Sequence, residues 1–509
     1  MAFIGRVQDL EYLETFYEAD GPQLVAVYGP RHIGVSEMLK RFSYGKKCVY
    51  YAAQEQVAQR QARDFAKRFN SQIDNVETWK DALAQCIGQY DGEQKLVVLI
   101  DGLGAVVASD PSFLDGLADL LTVQLSQADV LIVLAGHSIE LFERHVLAED
   151  GPLGGLVGGS VRLGPLSHWE SESFFPKYEA ADKALMHAVL NGSPHYLAMV
   201  DPSVDASENI KRLVLERGCL LENETELILH QDFREVATYN AILEALASDA
   251  TQFSGLSEQT GVEKRKLSVY VKNLVDAGLV ERVSPVRKPD ASGKRQGDAA
   301  RNSRSEYRLA STFLRFWYAN VVPSKSDLSF GDIENVYRTS IVPRMNAYLK
   351  DPLTTMVKAW IERANALGLL SKEVGEVGPA WKTDANVDLV GYSEDGSYAV
   401  AAIVQVQDGK TGSADIPSVD EVRDALQVET VSLFVFAMDG FTGELKAHVE
   451  DTGELTLLTV DDLYAEAKEP TVVVRERRPA PAAKPKKALP FVVEDDQPRN
   501  IRGYYAERR

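Results

Sequence analysis

Apolar residues run unbroken from 24 to 28 (LVAVY), from 96 to 100 (LVVLI) and from 130 to 135 (VLIVLA). Runs of this length, rich in β-branched residues and free of polar alternation, predict strands covered on both faces, as in a parallel sheet. Residues 47–52 (KCVYYA) read as a further strand. Between the runs, apolar positions recur at helical spacing, as at Leu10, Leu13, Phe16 and Tyr17 and again across residues 54–89. Strands alternating with helices predict a helix-flanked parallel sheet of the α/β class. From 239 to 286 the pattern shortens. Residues 256–262 read as a helix closed by the turn glycine Gly261, residues 264–277 as a second amphipathic helix stopped by Gly278, and residues 279–283 as a strand opening a wing. That order predicts a winged helix-turn-helix. Later, residues 387–390 and 398–406 flank the loop 393–396 as an antiparallel hairpin.

The strand at 24–28 runs straight into Gly29-x-x-x-x-Gly34-x-Ser36, and a helical pattern follows from Glu37. Strand, glycine loop and helix in that order form a phosphate-binding loop, in which backbone N–H groups and a helix N-terminus receive an anion. One position departs from it: Val35 stands where a lysine would reach the terminal phosphates. Ser36 is placed as a Mg²⁺ ligand, and Asp101, at the carboxyl end of the next buried strand, would hold the same ion through water. Gly102 follows where a glutamate would polarise water, so no catalytic residue is assigned. The nucleotide-binding candidates are Gly29, Pro30, Arg31, His32, Ile33, Gly34, Val35, Ser36 and Asp101, with Ser36 and Asp101 as metal ligands. The plainer alternatives are an ordinary strand-to-helix turn and a capping aspartate. Gly136-His137-Ser138 would sit beside the terminal phosphate, unless Ser138 merely caps the helix after it.

Charge sharpens the reading of the middle of the chain. At 509 residues, with a formal charge of -20 and a pI of about 5.0, the protein is a poor candidate for a general nucleic-acid coat or an anionic-membrane binder. Against that background Lys264, Arg265, Lys266 and Lys272 on the second helix stand out, as does a wing (residues 282–308) with eight basic residues against three acidic, Arg287 and Lys288 among them. These six are the DNA-binding candidates, and the alternative is intramolecular contact only. Three widely spaced cysteines support neither a disulfide framework nor a zinc site. No run approaches the ~18 apolar residues of a membrane span, so a soluble, cytoplasmic protein is expected. In the hairpin, Asp388 is acidic but the second strand, Ala402-Ile403-Val404-Gln405-Val406, lacks the acid and lysine a metal-dependent nuclease needs.

Together these segments resemble the archaeal-type ATPase family, a branch of the AAA/STAND-like P-loop proteins. The resemblance rests on Phe3-Ile4-Gly5-Arg6, Gly29-Pro30-Arg31, Gly136 with Ser138, Pro165-Leu166-Ser167, Gly192-x-Pro194 with Tyr196-Leu197, Phe316-Trp317, Trp381 with Val387-Asp388, and Asp439-Gly440-Phe441-Thr442. It implies a multidomain α/β chain: a P-loop ATPase domain (1–180), a helical lid (181–238), a winged helix (239–310), a helical linker (311–350) and an α+β restriction-endonuclease-like domain (351–468). A tail of proline, alanine and charge (469–509) follows and is expected to be disordered. The departures from the family fall on Val35, Gly102 and Ile403-Val404-Gln405. They imply a catalytically degenerate member, a nucleotide-binding or assembly scaffold with ATP and Mg²⁺ as cofactors. Nucleic acid or a protein would be the partner at the winged helix, and a homo-oligomer is possible. The alternatives are an active ATP-hydrolysing enzyme and a DNA-binding regulator with a vestigial P-loop domain.

Overall fold

The computed structural model describes residues 3–73, 75–90, 92–289, 305–381 and 385–465. The tail from 469 and the basic tract at 290–304 therefore lie outside the described residues. The first sheet is wholly parallel, with strands β1 (Gln23–Tyr28), β2 (Cys48–Ala52), β3 (Leu96–Asp101), β4 (Val130–Gly136) and β5 (Gly159–Arg162) in the order β2-β3-β4-β1-β5. Every residue of β3 and β4 is buried, as the unbroken apolar runs require. The period-two geometry of the strands divides each run between two cores. Leu24, Ala26, Val98, Ile100, Ile132 and Leu134 meet α3 (Ala58–Phe69) and α4 (Trp79–Gly88). Val25, Val27, Leu99, Leu131 and Val133 meet α1 (Val7–Glu18) and α2 (Val35–Phe42). β5 carries no apolar run, which is why the hydrophobic pattern gave no sign of it.

Register aligns the strand ends. Tyr28 lies opposite Gly136, and Asp101 opposite Ala135 and Ala52, so the loop after β1, Asp101 and His137 share one edge of the sheet. Ligands of parallel α/β sheets gather at this carboxyl edge.

From Leu166 onward one apolar core replaces these two. It runs through α5 (Ala180–Leu190), the short α6 (Pro194–Leu197) and α7 (Glu224–Asp232) into α8 (Val236–Ala247), α9 (Phe253–Thr260) and α10 (Lys264–Asp276). The last three helices are followed by an antiparallel pair, β6 (Val280–Val283) and β7 (Glu306–Leu309). The same core continues along the 25-residue helix α11 (Val342–Ala366) to one face of a second, mixed sheet. That sheet is ordered β12-β11-β10-β9-β8, comprising β8 (Val377–Pro379), β9 (Leu389–Tyr392), β10 (Tyr398–Gln405), β11 (Thr430–Ala437) and β12 (Thr456–Leu458). β9 and β10 form the expected hairpin, with Tyr392 opposite Ala399, and Trp360 of α11 packs edge-on against Phe434. No helix among the described residues is long and apolar enough to cross a membrane.

The chain closes on itself through α12 (Val460–Tyr464), whose Leu463 carbonyl lies 3.0 Å from His168 Nε2, in contact with α5. His187 lies beside it, 2.9 Å from Ser171 Oγ. Burial lowers the pKa of His168 from 6.5 to about 4, against the opposing Leu463 carbonyl, and burial likewise lowers His187. Both imidazoles are therefore neutral in the fold. Below an unfolded-state pKa near 6.5 the unfolded chain takes up protons that the folded chain refuses, so their contribution is present above that pH and declines as pH falls toward 4. We expect His168 alone to account for about 2 kcal/mol of lost stability between pH 7 and pH 4.5. Urea denaturation across that range checks it, and His168→Gln should flatten the profile.

Candidate functional site

Glycines set the shape of the loop between β1 and α2. A side chain at Gly29 would meet the Leu163 carbonyl at 2.4 Å, and Gly34, at φ 94, turns the chain into α2. His32 also occupies the left-handed region, at φ 65, a conformation that costs a non-glycine residue about 1–3 kcal/mol. The lid helices hold it there. Its carbonyl accepts hydrogen bonds from Ser193 Oγ at 2.9 Å and the His195 amide at 3.4 Å. Its ring stacks on His195, and its Nε2 lies 3.0 Å from Glu224 Oε1, which also accepts the Tyr196 hydroxyl at 2.7 Å. Burial would raise the pKa of Glu224, but these hydrogen bonds outweigh it and keep the carboxyl below its ordinary value. Burial, helped by neighbouring His32, lowers His195.

Beneath the loop, Ser36 Oγ and Tyr50 OH both donate to Asp101 Oδ2 at 2.6 Å. Asp101 is only 6% exposed and Tyr50 is pushed up, first by burial and then by this carboxylate. Val35 is 1% exposed and belongs to the core with Met38, Leu39 and Phe42. Gly102 lies at φ 87 and donates its N–H to the Ala135 carbonyl at 2.9 Å. A glutamate at position 102 would be strained by this backbone alone. Arg6 spans the carbonyls of Ile33, at 3.2 Å, and Gly164, so it braces the loop against the segment after β5.

The nine nucleotide candidates are thus brought together, Gly29, Pro30, Arg31, His32, Ile33, Gly34, Val35 and Ser36 as the loop and start of α2 and Asp101 below it. Ser138 caps the next helix, with Leu141 N donating to its Oγ at 3.3 Å. Burial lowers the pKa of His137 against the opposing pull of Asp101 and of the Gly29 and Pro30 carbonyls, and its Nδ1 is buried with no hydrogen-bond partner among the described residues. Sequence reading passed over Tyr50 and Glu224 in the site. Tyr50 carries a signal, sitting on the strand beside the one that ends in Asp101; Glu224 carries none, because only the docking of the lid brings it to His32.

The loop opens on a cleft of about 900 Å³. Its far wall is α10, through Lys266, Tyr270 and Asn273, and its rear is Phe233 to Glu235. Of the six DNA candidates, Lys264, Arg265, Lys266 and Lys272 are all exposed on α10, with Lys266 alone among them lining the cleft. Arg287 and Lys288 are not beside that helix. Lys288 donates to the Gln427 carbonyl and Val286 N to the Pro379 carbonyl at 3.0 Å, which sets this stretch against the second sheet. In that sheet Asp388 Oδ2 accepts from Lys350 Nζ at 2.8 Å and Val404 N at 2.7 Å. Among the described residues no group of three or more His, Cys, Asp or Glu could hold a metal ion.

Residues 317–414 match the family described as DUF234, archaea bacterial proteins of unknown function. The match is confined to this segment. It begins in the helices before α11 and ends after β10, so it takes in Lys350, Asp388 and the hairpin. The chain is similar, at 22% identity over 413 residues, to the uncharacterised protein MJECL04 of Methanocaldococcus jannaschii, covering 80% of this chain and 88% of that one. Solved structures similar to this chain include the Walker-type ATPase PABY2304 of Pyrococcus abyssi, at 15% identity and a TM-score of 0.46, covering 62% of this chain and 96% of that one. The ORC2 protein of Aeropyrum pernix, solved in ADPNP–ADP complexes, matches at 15% identity and a TM-score of 0.42, covering 64% and 95%. At scores this low the P-loop fold is argued from the strand order and loop themselves.

The clamp on His32 gives a direct expectation. Glu224→Ala removes the shared acceptor of His32 and Tyr196 and leaves a buried hydroxyl unpaired, so it should destabilise the fold by about 1–3 kcal/mol in urea denaturation. Glu224→Gln should lose less, because the amide oxygen still accepts one of the two bonds.

Proposed function

We infer that this protein is a nucleotide-binding scaffold that hydrolyses ATP feebly or not at all, with a winged helix formed by α8, α9, α10 and the β6–β7 pair that contacts nucleic acid. The observation that carries the reading is the contrast within one loop. The backbone shape and the Ser36–Asp101 pair of an ATP–Mg²⁺ site are kept, while position 35 is a buried valine and position 102 a left-handed glycine. The residues present fit a nucleotide in that Ser36 and Asp101 would hold Mg²⁺ and the loop amides would meet phosphate oxygens. When bound, Mg²⁺–ATP would bring a polyanion whose charge the metal partly neutralises. The chain offers no carboxylate after Asp101 to activate water and no lysine at the loop to meet developing charge, which supports binding without turnover.

Titration with a fluorescent ATP analogue should give saturable, micromolar binding that weakens without Mg²⁺ and falls at least about tenfold in Asp101→Ala. Phosphate release by the purified chain should stay at the level of that variant. Turnover at an ordinary rate that Asp101→Ala abolishes would instead establish the active ATPase.

For the winged helix, the exposed Lys264, Arg265 and Lys272 lie outside the cleft and support a phosphate-contacting face. Binding to duplex DNA should fall steeply with salt, and neutralising these three should reduce the log–log slope by about 2–3. A flat salt dependence removes nucleic acid as the partner.

A further inference from the structure

Tyr50 makes a contact that the phosphate-loop pattern does not call for. On β2 it lies opposite Leu99, two residues short of Ala52, which lies opposite Asp101. Strand alternation turns Tyr50 toward the core under α2, while Val49 and Tyr51 face the other core. A long side chain with its donor at the tip is what spans those two residues and reaches the carboxylate at the strand end. The Tyr50 hydroxyl and Ser36 Oγ donate to the same oxygen, Asp101 Oδ2, each at 2.6 Å. Two short hydrogen bonds fill the lone pairs of that atom. Asp101 is 6% exposed and has no ion-pair partner among the described residues, since position 35 is a valine. A buried carboxylate without a cation is costly unless hydrogen bonds satisfy it, and these two hydroxyls do so. In the arrangement expected of a metal held through water, the metal's water is the donor to this carboxylate.

We propose that the Tyr50 hydroxyl stands in for the metal's water on Asp101, so that the loop takes its nucleotide with little help from a divalent cation. The proposal rests on the nucleotide-binding reading and says how that site treats its metal. Tyr50 is a positioning residue: it acts through Asp101 and, by the shared oxygen, on Ser36. A donor that satisfies the carboxylate in the metal-free site, and must yield its place to bound water, lowers metal affinity by linkage. Removing the hydroxyl while keeping the ring frees one position on Oδ2 and hands it to the metal's water.

Isothermal titration of the full chain with ATP, once with Mg²⁺ and once with EDTA, tests the assignment. Titration with Mn²⁺ alone, followed by electron paramagnetic resonance, adds a readout that needs no nucleotide. In the wild type the Kd for ATP should differ by less than about tenfold between the two conditions, and a larger difference overturns the proposal. That arm requires no variant. Tyr50→Phe, whose fold circular dichroism verifies, should widen the difference at least about fivefold over wild type and bind Mn²⁺ at least about fivefold more tightly. An unchanged or narrowed difference, or unchanged Mn²⁺ affinity, overturns the proposal. Ser36→Ala also frees a position on Oδ2 but removes a metal ligand, so it should narrow the difference. Widening there as well overturns the role given to Tyr50, because any loosening of Asp101 would then suffice. If the wild type binds no ATP in either condition, the nucleotide reading fails, and the Mn²⁺ titrations alone decide whether Tyr50 restrains the metal.

Discussion

One buried carboxylate, Glu224, fixes the relation between the two halves of the molecule. It holds His32 in a conformation that residue would not adopt alone, and it does so from a lid helix whose own packing belongs to a different apolar core. Ser193 and the His195 amide reach the His32 carbonyl from the same side, and the Pro194 ring lies near Gly34. Arg6 works to the same end from the opposite side, tying Ile33 to Gly164. A phosphate loop elsewhere gains its rigidity from the anion; here protein groups already constrain it from two directions.

The residues that depart from a lysine-bearing phosphate loop are each locally useful. Val35 adds apolar surface to the core under α2, where a cation would need to bend away toward solvent. Gly102 lets the chain turn sharply from β3 into the following helix, with its amide satisfied by Ala135. In the DUF234 hairpin, Lys350 from α11 lies against the Asp388 oxygen, where a nuclease would place a cation of another kind.

The parallel sheet was legible because β1, β3 and β4 are buried on both faces and must be apolar throughout; β5, at the edge with exposed Ser160 and Arg162, has no such requirement and left no signature. The loop and Asp101 were legible because glycine spacing and strand ends are local features. The clamp and the cleft were not, since His32 meets Glu224, and Arg31 and Lys266 come to line one cleft, only after the helical half docks on the sheet, and single-chain patterning carries no information on docking. Basic residues on α10 read correctly as an exposed face, whereas Lys288, equally basic in sequence, is spent on the Gln427 carbonyl.

The uninterrupted apolar core from Leu166 to Leu463 has a mechanical corollary. The helices after β5, α10, the long helix and one face of the second sheet share it, so loosening it at one point should be felt in all of them, while the P-loop sheet keeps cores of its own.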